Sequence, residues 1–547
     1  MGVAMMSYGT GLRACGFVVL LTASLAHADD KTGVTIAPAP ADANAKVAAA
    51  AITDPFAAAL KDRLAGMAAA GTEIERKDQD ALRTFYTARN YAPIWIDNSG
   101  LAPRAGLLTA EIAAAGDYGL DPKDFALPAP AQNSAGLVEL AKSELQLATA
   151  ALTYARYARG GRIADPAEML STQLDRRPQW IDPKLVLDSL AVTEKPDAYL
   201  RGLQPKHEQF ERLRQFYVAA LPKSGRLDRL GGEAKRLRAN MEMWRWLPDD
   251  MGTQAGLDKG MYVLNNIPEF MQYVYKDGEI VRSEKIVVGQ LDKQSAVFSR
   301  PLKYVVLRPL WRVPDSIKVN ELWPGLLRGG AVMRKFAIEV DDKSGAKVDW
   351  HKIKWNAIDI DDYDFVQPPG PRSVLGHVKF SFPSQHTIYM HDTPDKYMFN
   401  ASQRTLSHGC LRVRNPMALA EMILNEDKGW DAAKIAELDK SGPLNNEISI
   451  DKRIPIHLVY FTEWVDDAGK LKTFADIYGH EKRVIQALDG KWDKIDHGYD
   501  HLAPVEAKFN PSDVVASTTG LSDSSKNKSD KQATLGDIFG DPLGLGW

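Results

Sequence analysis

The spacing of apolar side chains changes character along the chain. Leu82, Phe85, Tyr86 and Arg89 follow one another at helical spacing, and Leu145 to Ala158 is an Ala/Leu/Tyr run with neither Gly nor Pro. Ser99-Gly100, Gly119, Asp121-Pro122 and Gly160-Gly161 punctuate this stretch, which predicts several short helices over residues 61–221. A Gly-containing charged link, 222–234, follows, and the texture then changes. Val263-Leu264, Ile286 to Val288, Tyr304 to Leu307, Val378 to Phe382, Ile388 to Met390 and Ile456 to Phe461 are short β-branched and aromatic runs bounded by turn residues. They predict a β-rich domain over 235–500. Within it, 314–362 carries a helix-like piece with Trp323, Leu326 and Leu327 and then mixed polar chain, an insertion expected to serve as a lid. Residues 29–60 have few large apolar side chains and read as a disordered spacer. The polar, Ser/Lys/Asp-rich 501–547 reads as a disordered tail with a terminal docking motif as an option. The fold class expected is α+β multidomain, a helical domain followed by a β-rich one, without internal repeats.

Composition narrows the function classes. The 547 residues suffice for two to four domains, and 68 Lys+Arg against 71 Asp+Glu give a formal charge of -3. That balance argues against an electrostatic nucleic-acid binder. No apolar run reaches the roughly 20 residues of a membrane span. The longest, Gly16 to Ala26, follows a lone Arg13 and precedes Ala26-His27-Ala28, the pattern of a signal peptide over 1–28 cut after Ala28. An uncleaved anchor is the alternative. Export to the periplasm is therefore expected, with no transmembrane span left after cleavage. Removal of 1–28 takes away Arg13 and Cys15, leaving a charge of -4 and Cys410 as the one cysteine.

Cys410 stands in Ser407-His408-Gly409-Cys410-Leu411-Arg412, with His391 nineteen positions upstream. The thiolate is the nucleophilic form of cysteine, and a neighbouring imidazole can take its proton, so a Cys with two His at hand suits acyl transfer. Glycine before the nucleophile allows backbone N–H groups to close on a reacting carbonyl, making the amides of Gly409 and Cys410 a candidate oxyanion hole. A buried structural Cys beside two structural His is the plainer alternative. His377, His386 and His457 lack a CxxC or HExxH partner, so no metal is expected, and the absence of a phosphate-cradling Gly loop removes the common nucleotide cofactors. Trp244 and Trp246 read as packing at the domain junction, with sugar stacking as the alternative.

Ser-His-Gly-Cys-Leu-Arg-Val, preceded by His391-Asp392-Thr393-Pro394, resembles the active-site signature of the YkuD-type L,D-transpeptidases, cysteine enzymes of bacterial peptidoglycan. Met243 to Pro248, Asn266-Ile267-Pro268, Gln367 to Pro371 and Leu375-Gly376 are similar to their long Gram-negative branch, and Phe85-Tyr86, Pro93-Ile94-Trp95 and Gly119 to Pro122 to its helical scaffold domain. The resemblance implies that Cys410 is the nucleophile and His391 its base, and that His408 shapes the oxyanion site with the amides of Gly409 and Cys410. Arg412 would hold a substrate carboxylate or brace the loop, while Tyr389 and Ser407 would line the substrate pocket. It further implies 3→3 cross-linking of peptidoglycan stem peptides without a cofactor, and acylation by carbapenem-type β-lactams. The small peptidoglycan-binding module common in that branch has no room between Leu221 and Glu233. A carboxypeptidase, a protein-anchoring transferase and a catalytically silent wall-binding scaffold remain alternatives.

Overall fold

The computed structural model describes residues 54–68, 71–129, 136–223, 227–252 and 260–518. The signal segment, residues 29–53 of the expected spacer and residues 519–547 of the tail lie outside them.

The N-terminal region is helical. Its longest helix, Leu137–Gly160, buries Leu145, Ala148, Ala151, Leu152 and Ala155 at helical spacing. Helix Glu73–Ala88 packs Ala81, Leu82, Phe85 and Tyr86 inward and is closed by a reciprocal cap in which the Thr72 hydroxyl accepts from Glu75 N–H at 3.2 Å and the Glu75 carboxylate accepts from Thr72 N–H at 3.0 Å. The buried Glu144 carboxylate accepts from Tyr86 O–H (2.6 Å), Ile94 N–H (2.7 Å) and Trp95 N–H (2.9 Å), which fixes the chain after the second helix to the longest one. Helix Asp54–Ala65 begins inside the stretch expected to be a spacer: Phe56, Leu60 and Leu64 recur every four residues and enter this core.

Helix Gly232–Trp244 leads into the β-rich domain. Trp244 stacks on Phe461 with ring centroids 4.2 Å apart. The buried Arg245 donates to the carbonyls of Tyr118 (2.8 Å) and Ala158 (3.3 Å) and to Gln204 Oε1 (2.9 Å). Trp244 therefore packs the junction, Trp246 is buried two residues on, and a guanidinium supplies the polar ties.

Eleven strands build the main sheet: β1 (Met261–Asn266), β2 (Met271–Lys276), β3 (Glu279–Gly289), β4 (Ser299–Pro301), β5 (Tyr304–Leu307), β6 (Val378–Ser381), β7 (Met390–His391), β8 (Thr405–Ser407), β9 (Leu411–Val413), β10 (Asn446–Ser449) and β11 (Pro455–Val459). Their order is β10-β5-β6-β7-β9-β3-β2-β1-β11-β4, with β8 also paired to β3. Most neighbours are antiparallel; β7–β9, β8–β3 and β11–β1 are parallel.

The insertion between β5 and β6 is a small unit with its own core. Strands Trp311–Arg312, Glu339–Asp342, Lys347–Val348 and Tyr363–Gln367 form a four-stranded sheet, and Trp311, Leu322, Leu326, Met333, Val340 and Phe365 pack together beside it. It extends beyond the expected 314–362 at both ends. The tail expectation is corrected for 501–518. His501 Nε2 lies 2.7 Å from His386 Nδ1, Lys508 N–H donates to Asn320 Oδ1 (2.9 Å), Phe509 packs edge-on against Trp323 at 5.4 Å, and Pro511–Thr518 is helical. A polar segment can order in this way when its few apolar side chains find an existing surface.

Candidate active site

The parallel pairing of β7 with β9 creates the site. Met390 stands opposite Leu411 and His391 opposite Arg412, and Leu411 N–H donates to Tyr389 O at 3.0 Å. Side chains alternate along strands. Met390 and Leu411, fully buried, face the core, so Tyr389, His391, Cys410 and Arg412 share the opposite face. Antiparallel pairing of β6 with β7 sets Lys379 opposite His391 on that same face. One sheet surface thus gathers a thiol, an imidazole, a phenol and two cations.

The loop before β9 is tightly folded. Gly409 has φ +109°, and a Cβ there would lie 3.3 Å from Gln294 O and 3.7 Å from Lys293 O. Ser295 Oγ donates to Gly409 O at 2.6 Å. Ser407 Oγ donates to Cys410 O at 2.6 Å and accepts from Gly409 N–H at 3.2 Å. Ser407 thus closes the loop on itself, and the Gly409 N–H, one of the two amides expected to form the oxyanion hole, already has an acceptor.

Half-buried Cys410 points its thiol at Thr387 O, 3.9 Å away. Thr387 has φ +51°, a conformation costly for a β-branched residue and of the kind stored at functional sites. Burial pushes the thiol pKa up to about 11, although hydrogen bonding from Tyr389 and the charges of Arg412 and Lys379 favour the thiolate. Tyr389 therefore flanks the sulfur.

His391 is buried, and its Nδ1–H donates to the carbonyl of Asp392. That bond fixes the tautomer and leaves Nε2 unprotonated as the acceptor. Burial, then the charge of Arg412, pushes the imidazole pKa down to about 3. A backbone carbonyl thus orients the imidazole. The Asp392 carboxylate does something else, accepting from His377 N–H at 3.0 Å and pairing with Lys396.

His408 and Arg412 are each held by neighbouring side chains. His408 Nε2 lies 2.8 Å from Glu321 Oε1 and 2.7 Å from Lys293 Nζ, so its ring is engaged with the insertion. Arg412 is buried, where its Nη1 meets Asp395 Oδ2 (3.4 Å), Thr393 Oγ1 (3.3 Å) and Met398 Sδ (2.9 Å). It braces the turn after His391. Sequence reasoning missed Lys379, Thr387, Lys293 and Glu321. Alternation on β6 could have pointed to Lys379, whereas Glu321, 89 positions before Cys410, carries no local signal.

Residues 260–431 match the family model of the L,D-transpeptidase catalytic domain, and residues 80–216 that of the Scaffold domain. A Haemophilus influenzae protein provisionally named an L,D-transpeptidase is 26% identical over 421 residues, 76% of this chain and 80% of that protein. Among solved structures, an L,D-transpeptidase from Mycobacterium smegmatis shares 14% identity, covering 36% of this chain and 58% of that one, with a TM-score of 0.17. The Ldtfm–avibactam carbamoyl enzyme shares 10%, covering 37% and 49%, with a TM-score of 0.18. This chain thus spans about half the length of these solved chains.

Proposed function

From the premise that this chain carries an L,D-transpeptidase catalytic domain behind a scaffold domain, we propose that it forms 3→3 peptidoglycan cross-links through a thioester on Cys410. What supports this reading is the β7–β9 register: His391 stands opposite Arg412, two residues past Cys410, so imidazole and thiol share one face of the sheet, and the bond from His391 Nδ1–H leaves Nε2 to accept. Cys410 gives its proton to His391 Nε2 while Sγ bonds to the carbonyl carbon of the third residue, a diamino acid, of a tetrapeptide stem. The Cys410 N–H donates to the oxygen that becomes negative. As the C–N bond to the terminal D-alanine breaks, its amine takes the proton from His391. The side-chain amine of a second stem then attacks the thioester, its proton passes to His391 Nε2, and the departing sulfur recovers it. His391 ends each half-reaction neutral, the state its burial favours.

Arg412 and Lys379 lower the cost of transient negative charge on the sulfur, and no metal or organic cofactor has a step to perform. The substrate lies in the envelope, so the chain is assigned to the periplasm after loss of residues 1–28. A carbapenem presents a strained carbonyl to the same sulfur and would remain as a covalent adduct.

Intact-mass analysis after incubation with meropenem tests the acyl-enzyme. One added drug mass on the wild type, mapped to the peptide of Cys410 and absent in Cys410→Ala, supports the reading. An unmodified wild type favours a silent wall-binding scaffold. A labelled enzyme that releases D-alanine from tetrapeptide without joining two stems belongs to the hydrolytic or protein-anchoring alternatives, since the acceptor is not encoded in the Cys–His pair.

A further inference from the structure

Resting on that acyl-transfer reading, we propose that Glu321 is a positioning residue for the nucleophile, and that the insertion carrying it is part of the catalytic assembly. Three separate elements meet at His408, two residues before Cys410. Glu321 Oε1 lies 2.8 Å from His408 Nε2 and 2.9 Å from Lys293 Nζ, and Lys293 Nζ lies 2.7 Å from the same nitrogen. The Glu321 and His408 side chains are each 12% exposed. Burial works against the ionised carboxylate, but hydrogen bonding to His408 and the charge of Lys293 outweigh it and hold Glu321 below the ordinary carboxylate range.

Its position connects it to the sulfur. Lys293 touches His408 through its ammonium, while its carbonyl and that of Gln294 pack under Gly409. His408 and Gly409 are thus held from two directions, and Cys410 is the next residue. The insertion also reaches the other side of the thiol, because Tyr389, which flanks the sulfur, packs against the insertion core. Glu321 is itself held firmly. It lies on Lys318–Leu322, a wide turn of the i→i+5 type that recurs at functional sites. Lys318 Nζ bridges Asp315 (2.8 Å) and Asp361 (2.6 Å), Asn320 accepts from Lys508 N–H, and Trp323 packs on Phe509. The insertion therefore grips the nucleophile loop through a fixed carboxylate.

The test follows Cys410 reactivity in the full chain by stopped-flow acylation with meropenem and, independently of β-lactam recognition, by iodoacetamide alkylation. Glu321→Gln keeps the shape and removes the charge, Glu321→Ala removes both, and Lys293→Glu with Glu321→Lys exchanges the charges while keeping a carboxylate and an ammonium on His408. Misplacing reacting groups by about 1 Å costs on the order of 100-fold. Both single variants should lose about 10- to 100-fold in maximal acylation rate, with half-saturating meropenem and unfolding temperature near wild type, and the exchanged pair should recover most of the loss. Wild-type rates in Glu321→Ala and Glu321→Gln overturn the proposal. So does a loss that tracks the unfolding temperature and is not recovered by exchange. If meropenem fails to label even the wild type, the acyl-enzyme reading fails instead, and alkylation still decides whether Glu321 governs the thiol.

Discussion

Removing the imidazole of His391 should convert a pH-independent nucleophile into one that depends steeply on pH. In the resting site the thiol pKa stands at about 11 and the imidazole pKa at about 3, so between these limits the pair rests as neutral thiol and neutral imidazole. At pH 7 a thiol of that pKa is ionised in roughly one molecule in ten thousand. In the proposed mechanism wild-type acylation does not wait for that fraction, because His391 takes the proton as the sulfur attacks. Its rate should be flat from about pH 5 to pH 9. His391→Ala must use preformed thiolate alone, so its rate should fall by about 100- to 10,000-fold at pH 7, the usual range for a lost general base. That residual rate should then climb close to tenfold per pH unit up to at least pH 10. Stopped-flow acylation by a carbapenem gives both profiles, and iodoacetamide alkylation of the wild type reads the resting thiolate directly. An alkylation midpoint below pH 8 would mean that thiolate and imidazolium are already formed at rest, refuting the reasoning from burial. So would a flat profile for His391→Ala.

Three further outcomes are expected. Gly409→Ala should lower acylation by about 100-fold, because a Cβ at φ +109° presses on the carbonyls of Gln294 and Lys293 and shifts the nucleophile loop; acylation kinetics of the folded variant would check it. Trp244→Ala should cost about 3–5 kcal/mol of stability through loss of its stack on Phe461, read as a drop in unfolding temperature. Asp175 accepts from His386 Nε2 (3.0 Å) and Arg300 Nη2 (3.2 Å), and hydrogen bonding to His386 is the main cause holding its pKa below the ordinary value. Its contribution is complete above the unfolded-state pKa of about 3.9 and is lost as pH falls through the lower folded value, so the unfolding-temperature gap between wild type and Asp175→Asn should be constant from pH 7 to 5 and close below pH 4.

Helical spacing at Leu82, Phe85 and Tyr86 was legible because burying one face imposes a period on the sequence, and the runs at Val263, Ile286 and Ile456 because strands buried on both faces require unbroken apolar side chains. The short strands of the site were less so. β7 is only two residues long, taking Met390 alone from the expected run Ile388 to Met390, and that run is preceded by Thr387 at positive φ, a strain that local propensity argues against. The ordered part of the tail was hidden for another reason: Phe509 and His501 are single anchors whose partners, Trp323 and His386, lie more than a hundred residues away. For the site, residue chemistry pointed to Cys410 and His391, but not to which neighbours would occupy the remaining polar groups. Ser407 takes the Gly409 amide, Asp395 takes Arg412 and Glu321 takes His408, and each of these pairings depends on tertiary approach. The orienting group for His391 is a main-chain carbonyl, which no side-chain motif can announce.

Incubating the purified chain with disaccharide-tetrapeptide and identifying the products by mass spectrometry, with Cys410→Ala in parallel, decides whether Cys410 carries cross-linking. A dimer lacking one D-alanine and joined between third residues, formed by the wild type and absent with the variant, is the expected result. Intact tetrapeptide with the wild type, or the same dimer from Cys410→Ala, would contradict it.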